Sequence, residues 1–195
     1  MVSRMFRLVL VACSGACCVG PSLRADVIEY TDKGEWQAAG GEFTTIGFTG
    51  YPDGTWIFEQ YAYLGVHFVD GADLIVCCDF VTFPMDGAGL DGNAEIHLVF
   101  DAPIYTIAAD FPGNLMFDLY NDGELMYSSS MMGVGGIGNF GGLISTSPFD
   151  EAIIHSWEEF QVFLDDLHFG PPIPGASGLG LLGVAFVGIV RRRRG

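Results

Sequence analysis

Apolar and polar residues alternate along much of the chain, and that period of two predicts β-strands. In AEIHLVFD (residues 94–101), Ile96, Leu98 and Phe100 share one face, and Glu95, His97 and Asp101 share the other. GVHFVD sends Val66 and Phe68 inward and His67 outward. LMFDLYNDGELMYSS reads as a hairpin turning at Asn121-Asp122-Gly123, where glycine accepts a positive φ. Its first strand puts Leu115, Phe117 and Leu119 on the core and Met116, Asp118 and Tyr120 on the opposite face. Further short strands are expected at 27–30, 43–48, 74–77, 104–111, 152–156 and 160–169. One short helix is expected at 33–39, with Asp32 as its cap, Glu35 completing a capping box and Gly40 as its stop. Many short strands with glycine-rich turns predict an all-β fold, a β-sandwich of jelly-roll type with one short N-terminal helix.

GVGGIGNFGG (133–142) interrupts the alternation and is expected to form a flexible loop. Gly133, Gly135 and Gly138 match a dinucleotide fingerprint in spacing, but no βαβ unit surrounds them.

The two ends depart from this pattern. Arg4 and Arg7 precede an apolar run from Leu8 to Val19, then Pro21 and a small residue, Ala25. That order predicts a secretory signal peptide over 1–25, followed by a sandwich domain over 26–170. A Pro/Gly linker is expected at 171–177 and a short hydrophobic span with an arginine cluster at 178–195. The uncharged run Gly175–Val190 has sixteen residues. As a helix it would reach about 24 Å, against a hydrocarbon core of about 30 Å, so it predicts a weak or transient transmembrane anchor. Arg191, Arg192, Arg193 and Arg194 would hold its end in the cytoplasm.

Charge narrows the function classes. Residues 26–172 hold Lys33 as their only Lys or Arg and all 24 acidic residues, a formal charge of −23. Such a surface repels nucleic-acid phosphates and anionic lipid heads and attracts cations, so nucleic acid is excluded as a partner. Three of the five cysteines lie in the leader. Cys77 and Cys78 remain; alternation makes one buried and one outward, with a vicinal disulfide or a metal pair as alternatives.

Pro172-Ile173-Pro174, the Gly/Leu-rich span from Gly178 and the four arginines together resemble the PEP-CTERM sorting signal. Ile173 stands where that family carries Glu. The resemblance implies a bacterial protein carried by the export machinery and processed by an exosortase-type enzyme. Its destination would be the cell envelope or extracellular matrix. The segments YTDKGEWQAAGGEFTTIGFTGYPDGT, QYAYLGVHF, LVFDAPIYTIAADF and FLDDLHFG also resemble the exported jelly-roll domains that precede such tails. Many of those domains carry acids where Gly47 and Thr49 stand here. In related sandwiches such acids join a late-strand Asp, here Asp165 or Asp166, to hold structural calcium.

No nucleophile elbow, P-loop or HExxH occurs, and the four histidines are expected on solvent faces without metal-ligand spacing. DGAGLDG lacks the acids of an EF-hand at its third and fifth positions, but Asp86, Asp91 and Asn93 could form a looser calcium site, with Asp166 from the resemblance. Tyr51 and Trp56 lie in an aromatic-rich segment where displayed rings can stack on sugars, although core packing is the expected fate of Trp56. These features predict a non-enzymatic exported envelope or matrix protein. The alternatives are a carbohydrate-binding module acting on extracellular polysaccharide and a secreted glycan hydrolase whose carboxylates are indistinguishable among so many acids.

Overall fold

The computed structural model describes residues 26–75, 88–136, 138–156 and 161–171. The expected leader over 1–25, Cys77, Cys78, Asp86, and the tail from Pro172 through Ile173 and Pro174 to Arg191–Arg194 lie outside the described residues. Among the described residues no helix is long and apolar enough to cross a membrane.

The elements run β1 (Val27–Tyr30), α1 (Lys33–Gly40), β2 (Thr44–Ile46), β3 (Thr55–Ile57), a 3-10 turn (Ala62–Leu64), β4 (Val66–Phe68), β5 (Ala72–Ile75), β6 (Gly89–Asp91), β7 (Glu95–Phe111), β8 (Met116–Asn121), β9 (Glu124–Ser128), β10 (Asn139–His155), β11 (Phe163–Leu164) and β12 (Asp166–Gly170). The larger sheet has the order β2-β12-β7-β10-β8-β9, with β1 added to β10 and β4 to β7. The smaller sheet has the order β11-β6-β5-β3. Every pairing is antiparallel. The chain is therefore an all-β sandwich with one helix. It crosses from one sheet to the other between β11 and β12, where Asp165 N donates to Asp110 O at 2.8 Å.

Alternation sets which side chains meet between the sheets. Ile57, Ala72, Leu90 and Leu164 of the smaller sheet share one buried cluster with Leu98, Phe100, Phe117 and Ile154 of the larger. The hairpin forms with the expected phase: Leu115, Phe117 and Leu119 are buried. Asn121 pairs with Glu124, so the loop is Asp122-Gly123, and both take positive φ, 51° and 77°. Positive φ at both loop positions is the type I′ geometry whose twist matches that of the flanking strands.

Strands β7 and β10 are each longer than their sequence segments suggest. β7 runs through Pro103, with Asp101–Pro103 exposed, and the β7–β10 register shifts between Ile144 and Glu151. At such an irregularity a proline costs no ladder bond. The bend lets each long strand serve different neighbours at its two ends: β7 pairs with β4 near Leu98 and with β12 near Ala108.

Helix α1 forms as expected at its start, where Glu35 N donates to Asp32 Oδ1 at 2.8 Å. Its end falls one residue later than expected, with Gly41 at φ +74°. The helix covers the outer face of the larger sheet. Trp36, fully buried, packs there with Ala108, Phe140 and Ile144. The expected glycine loop is corrected at its far end, because Asn139–Gly142 are already strand. A Cβ on Gly142 would stand 2.6 Å from Trp36 Cδ1. The glycine is a packing requirement of the helix above it, not a sign of a loop.

Candidate functional site

Two arrangements of side chains stand out. The first lies on β3, the edge strand of the smaller sheet. Ile57 points into the core, so alternation turns Trp56 and Phe58 outward. Trp56 is 47 % exposed and Phe58 41 %. This corrects the expectation that Trp56 packs in the core. Their rings lie nearly parallel, with 19° between planes and 6.2 Å between centroids.

The backbone that carries the pair is pinned at several points. Gln60 donates its Nε2–H to Trp56 O at 2.7 Å and accepts from Phe58 N through Oε1 at 2.6 Å. Phe68 N donates to Phe58 O at 3.0 Å, and Thr55 Oγ1 donates to Pro52 O at 2.6 Å. Gly71, at φ +72°, seats the Phe58 ring, since a Cβ there would come within 2.4 Å of Phe58 Cε1. Exposed rings on a pinned backbone lose less freedom on binding than rings on a loose one, which favours a stacking surface. Tyr51 has a different fate. It packs partly buried against the core, edge-on to Tyr61 at 5.9 Å. Burial, with Tyr51 and Tyr63 nearby, pushes the Tyr61 phenol up to about 12.

The acids next to this segment in sequence turn to histidines of the larger sheet. Glu59 follows Phe58 and accepts from His67 Nδ1 at 2.6 Å, while His67 Nε2 donates to Asp101 at 2.9 Å. The bonds to Asp101 and Glu59 favour the protonated ring and raise the His67 pKa above its ordinary value. Asp70, next to the Gly71 seat, stands 3.5 Å from His97 Nδ1.

The second arrangement joins α1 to the sheet. Asp110 on β7 and Asp166 on β12 are directly opposed, and His168 lies two residues further along β12. The ligand-type atoms of these three lie within 4.8 Å of one another. His168 is 1 % exposed, which corrects its expected place on a solvent face. It does face outward from the sheet, but α1 covers that side, with the Trp36 ring 5.9 Å and the Phe43 ring 5.7 Å away. His168 Nε2–H donates to Asp110 Oδ2 at 2.8 Å, and its Nδ1 meets Thr45 Oγ1 at 2.8 Å.

This hydroxyl–imidazole–carboxylate chain has the connectivity of a nucleophilic relay. Its carboxylate is already engaged, because Lys33 Nζ lies 2.6 Å from the same Asp110 oxygen and 3.9 Å from Asp166 Oδ2. The domain's only lysine thus supplies the positive charge that the acids and the histidine surround. The arrangement is a latch tying the start of α1 to β7 and β12. Burial acts to raise the Asp110 carboxyl, but the bonds from His168 and Lys33 outweigh it and hold the group below the ordinary carboxylate value.

Asp110→Ala is expected to cost about 1–3 kcal/mol by orphaning the buried His168 donor. A carboxyl whose pKa is lowered by folding stabilises above its unfolded value, near pH 4, and loses that contribution as pH falls through its folded value. Melting temperatures taken from neutral to acid pH should therefore fall less steeply at the acid end for Asp110→Asn than for the parent.

Of the expected calcium ligands, Asp91 and Asn93 lie together at the β6–β7 turn. Asp91 Oδ1 accepts from Asn93 N at 2.9 Å and its Oδ2 accepts from Gln161 at 3.1 Å, which is the work of a turn cap. Asp166 converges with Asp110 and His168. Phe58, Gln60, Lys33 and Asp110 were not singled out from the sequence, although a lone lysine in a domain of −23 was a signal for a specific ion pair.

No protein-family model matches the chain, and no curated protein matches it. Among solved structures, a mutant of a family 29 carbohydrate-binding module is similar over 75 % of this chain and 91 % of that one, at 10 % identity and a TM-score of 0.29. That score carries no argument about function, and the fold assignment rests on the chain's own sheets.

Proposed function

We propose that the protein is an exported, non-enzymatic β-sandwich that binds polysaccharide at the cell surface or in the extracellular matrix through Trp56 and Phe58. The observation that carries this reading is the exposed and nearly parallel ring pair. Sugar rings present CH groups to an aromatic face, and a preset pair of rings recognises them at little ordering cost. Among the described residues, Trp56 and Phe58 are both among the large hydrophobics left exposed. The other prominent cluster is engaged with Lys33 under a helix, which favours binding over hydrolysis. Affinity electrophoresis in a panel of polysaccharides tests the reading: retardation by at least one, lost in Trp56→Ala, supports it, and no retardation by any member contradicts it.

Delivery belongs to the same reading. The leader would direct export, and the Pro172-Ile173-Pro174 tail would present the protein to an exosortase-type enzyme. Replacing Arg191–Arg194 with Gln is expected to shift tagged protein between membrane and medium, because the basic block retains the short span during export. Unchanged fractionation would contradict the sorting role.

A further inference from the structure

The segment that carries the rings crosses from one sheet to the other. Trp56 belongs to the smaller sheet, opposite Asp73 of β5 in the ladder. Phe58, two residues on, is bonded to the larger sheet, because its carbonyl accepts from Phe68 N of β4 at 3.0 Å. Glu59 continues the crossing, and its Oε2 lies 2.6 Å from His67 Nδ1 on β4. His67 Nε2 lies 2.9 Å from Asp101 Oδ1 on β7. Gln60 then ties the segment to itself, bonding Phe58 N and Trp56 O. Ionised carboxylates only accept, so both His67 contacts are made at once only when both ring nitrogens carry hydrogen. Residues 26–171 contain no arginine and one lysine, and Lys33 is bound to Asp110. No lysine or arginine is therefore at hand to take the place of His67 between the two acids. The next charged groups along this face are His97, two residues from the cross-strand partner of His67, Val99, and the acids beside it, Asp70 and Glu151.

Resting on the polysaccharide-binding reading above, we infer that His67 is a positioning residue for the ring pair: the protonated imidazole clips Glu59 to Asp101, seats residues 58–60 on the larger sheet, and makes glycan binding depend on pH. With the proton gone, the ring donates to one acid only. Two carboxylates then face each other across a neutral ring. Of the two bonds that join this segment to β4, the backbone bond from Phe68 N to Phe58 O is left. Phe58 is less constrained to its nearly parallel set with Trp56, and binding has to order it again. The bonds to Asp101 and Glu59 raise the His67 pKa. The clip is therefore complete below the ordinary imidazole value of about 6.5 and is lost as pH rises through the raised one, so binding weakens on the alkaline side.

The test uses the full-length protein in detergent micelles, with its histidine, tryptophan and phenylalanine rings labelled for NMR. Without any glycan, the ring signals of Trp56 and Phe58 are expected to move with the same midpoint as the His67 imidazole as pH rises from about 5.5 to about 8.5, a range in which ordinary carboxylates stay ionised. In His67→Gln they should stay flat. Affinity is then measured over the same range for a neutral polysaccharide that retards the parent in the panel, so that the glycan itself does not titrate. The parent is expected to bind it about threefold more weakly at the upper pH. His67→Gln should bind at both pH values as weakly as the parent does at the upper one. Ring signals that ignore the His67 titration would overturn the inference and leave the polysaccharide reading standing. So would an affinity that does not change with pH, or a pH step that persists in His67→Gln and so belongs to His97 or another group. If no polysaccharide in the panel is bound, the reading falls and the inference with it.

Discussion

Phe117→Ala is expected to destabilise the domain by about 3–5 kcal/mol, the largest effect of any single change considered for the core. Phe117 is fully buried in the middle of β8, and the strand is paired on both sides, with β10 and β9. Its ring stands in the cluster shared by the two sheets, where truncation removes buried area and leaves a cavity that rigid flanking strands cannot close. Tyr120, three residues on, faces the other way and is half-buried. Tyr120→Ala should cost less than about 1 kcal/mol. Denaturant titration followed by fluorescence reads both, since the buried Trp36 will report unfolding. If Tyr120→Ala is the severe variant, the strand phase is inverted.

The second large effect concerns binding. Trp56→Ala should weaken polysaccharide affinity by about thirtyfold or more, in the range of a tryptophan hot spot of about 2 kcal/mol or above. Stability should change little, because Trp56 is about half exposed on an edge strand and its neighbour Ile57 anchors the strand in the core. That separation matters, since a variant that loses binding while keeping its melting temperature has lost a recognition element. Phe58→Ala is a stricter probe of the pair, because it leaves Trp56 in place and removes the second, nearly parallel ring.

Local pattern carried much of the fold. The hairpin, its turn chemistry and the phase of β4, β7 and β8 follow from alternation and from a glycine at the right place, all of which operate within a few residues. What escaped depends on partners far along the chain. Alternation turned Trp56 and His168 to the outside of their sheets in the same way. Among the described residues, no element covers Trp56 while α1 covers His168, so Trp56 is displayed and His168 is buried. Nothing near either residue records that difference. Gly142 looked like a loop residue because its reason for being glycine is Trp36, more than a hundred positions away, and Gly141 because Met132 and Phe111 crowd it from other strands and turns. Asp110 was one acid among 24 until the β7–β12 register set it opposite Asp166 and the helix brought Lys33 to it. The address proposed for the tail, by contrast, rests on a short contiguous stretch and on no part of the fold.

The most direct test of the account is the affinity of the parent protein and of Trp56→Ala for the polysaccharide that retards the parent most, measured by titration calorimetry beside their melting temperatures. The account predicts a loss of about thirtyfold or more in affinity at an unchanged melting temperature. Equal affinity of the two proteins would contradict it, because the ring pair on β3 would then be surface without a role in recognition.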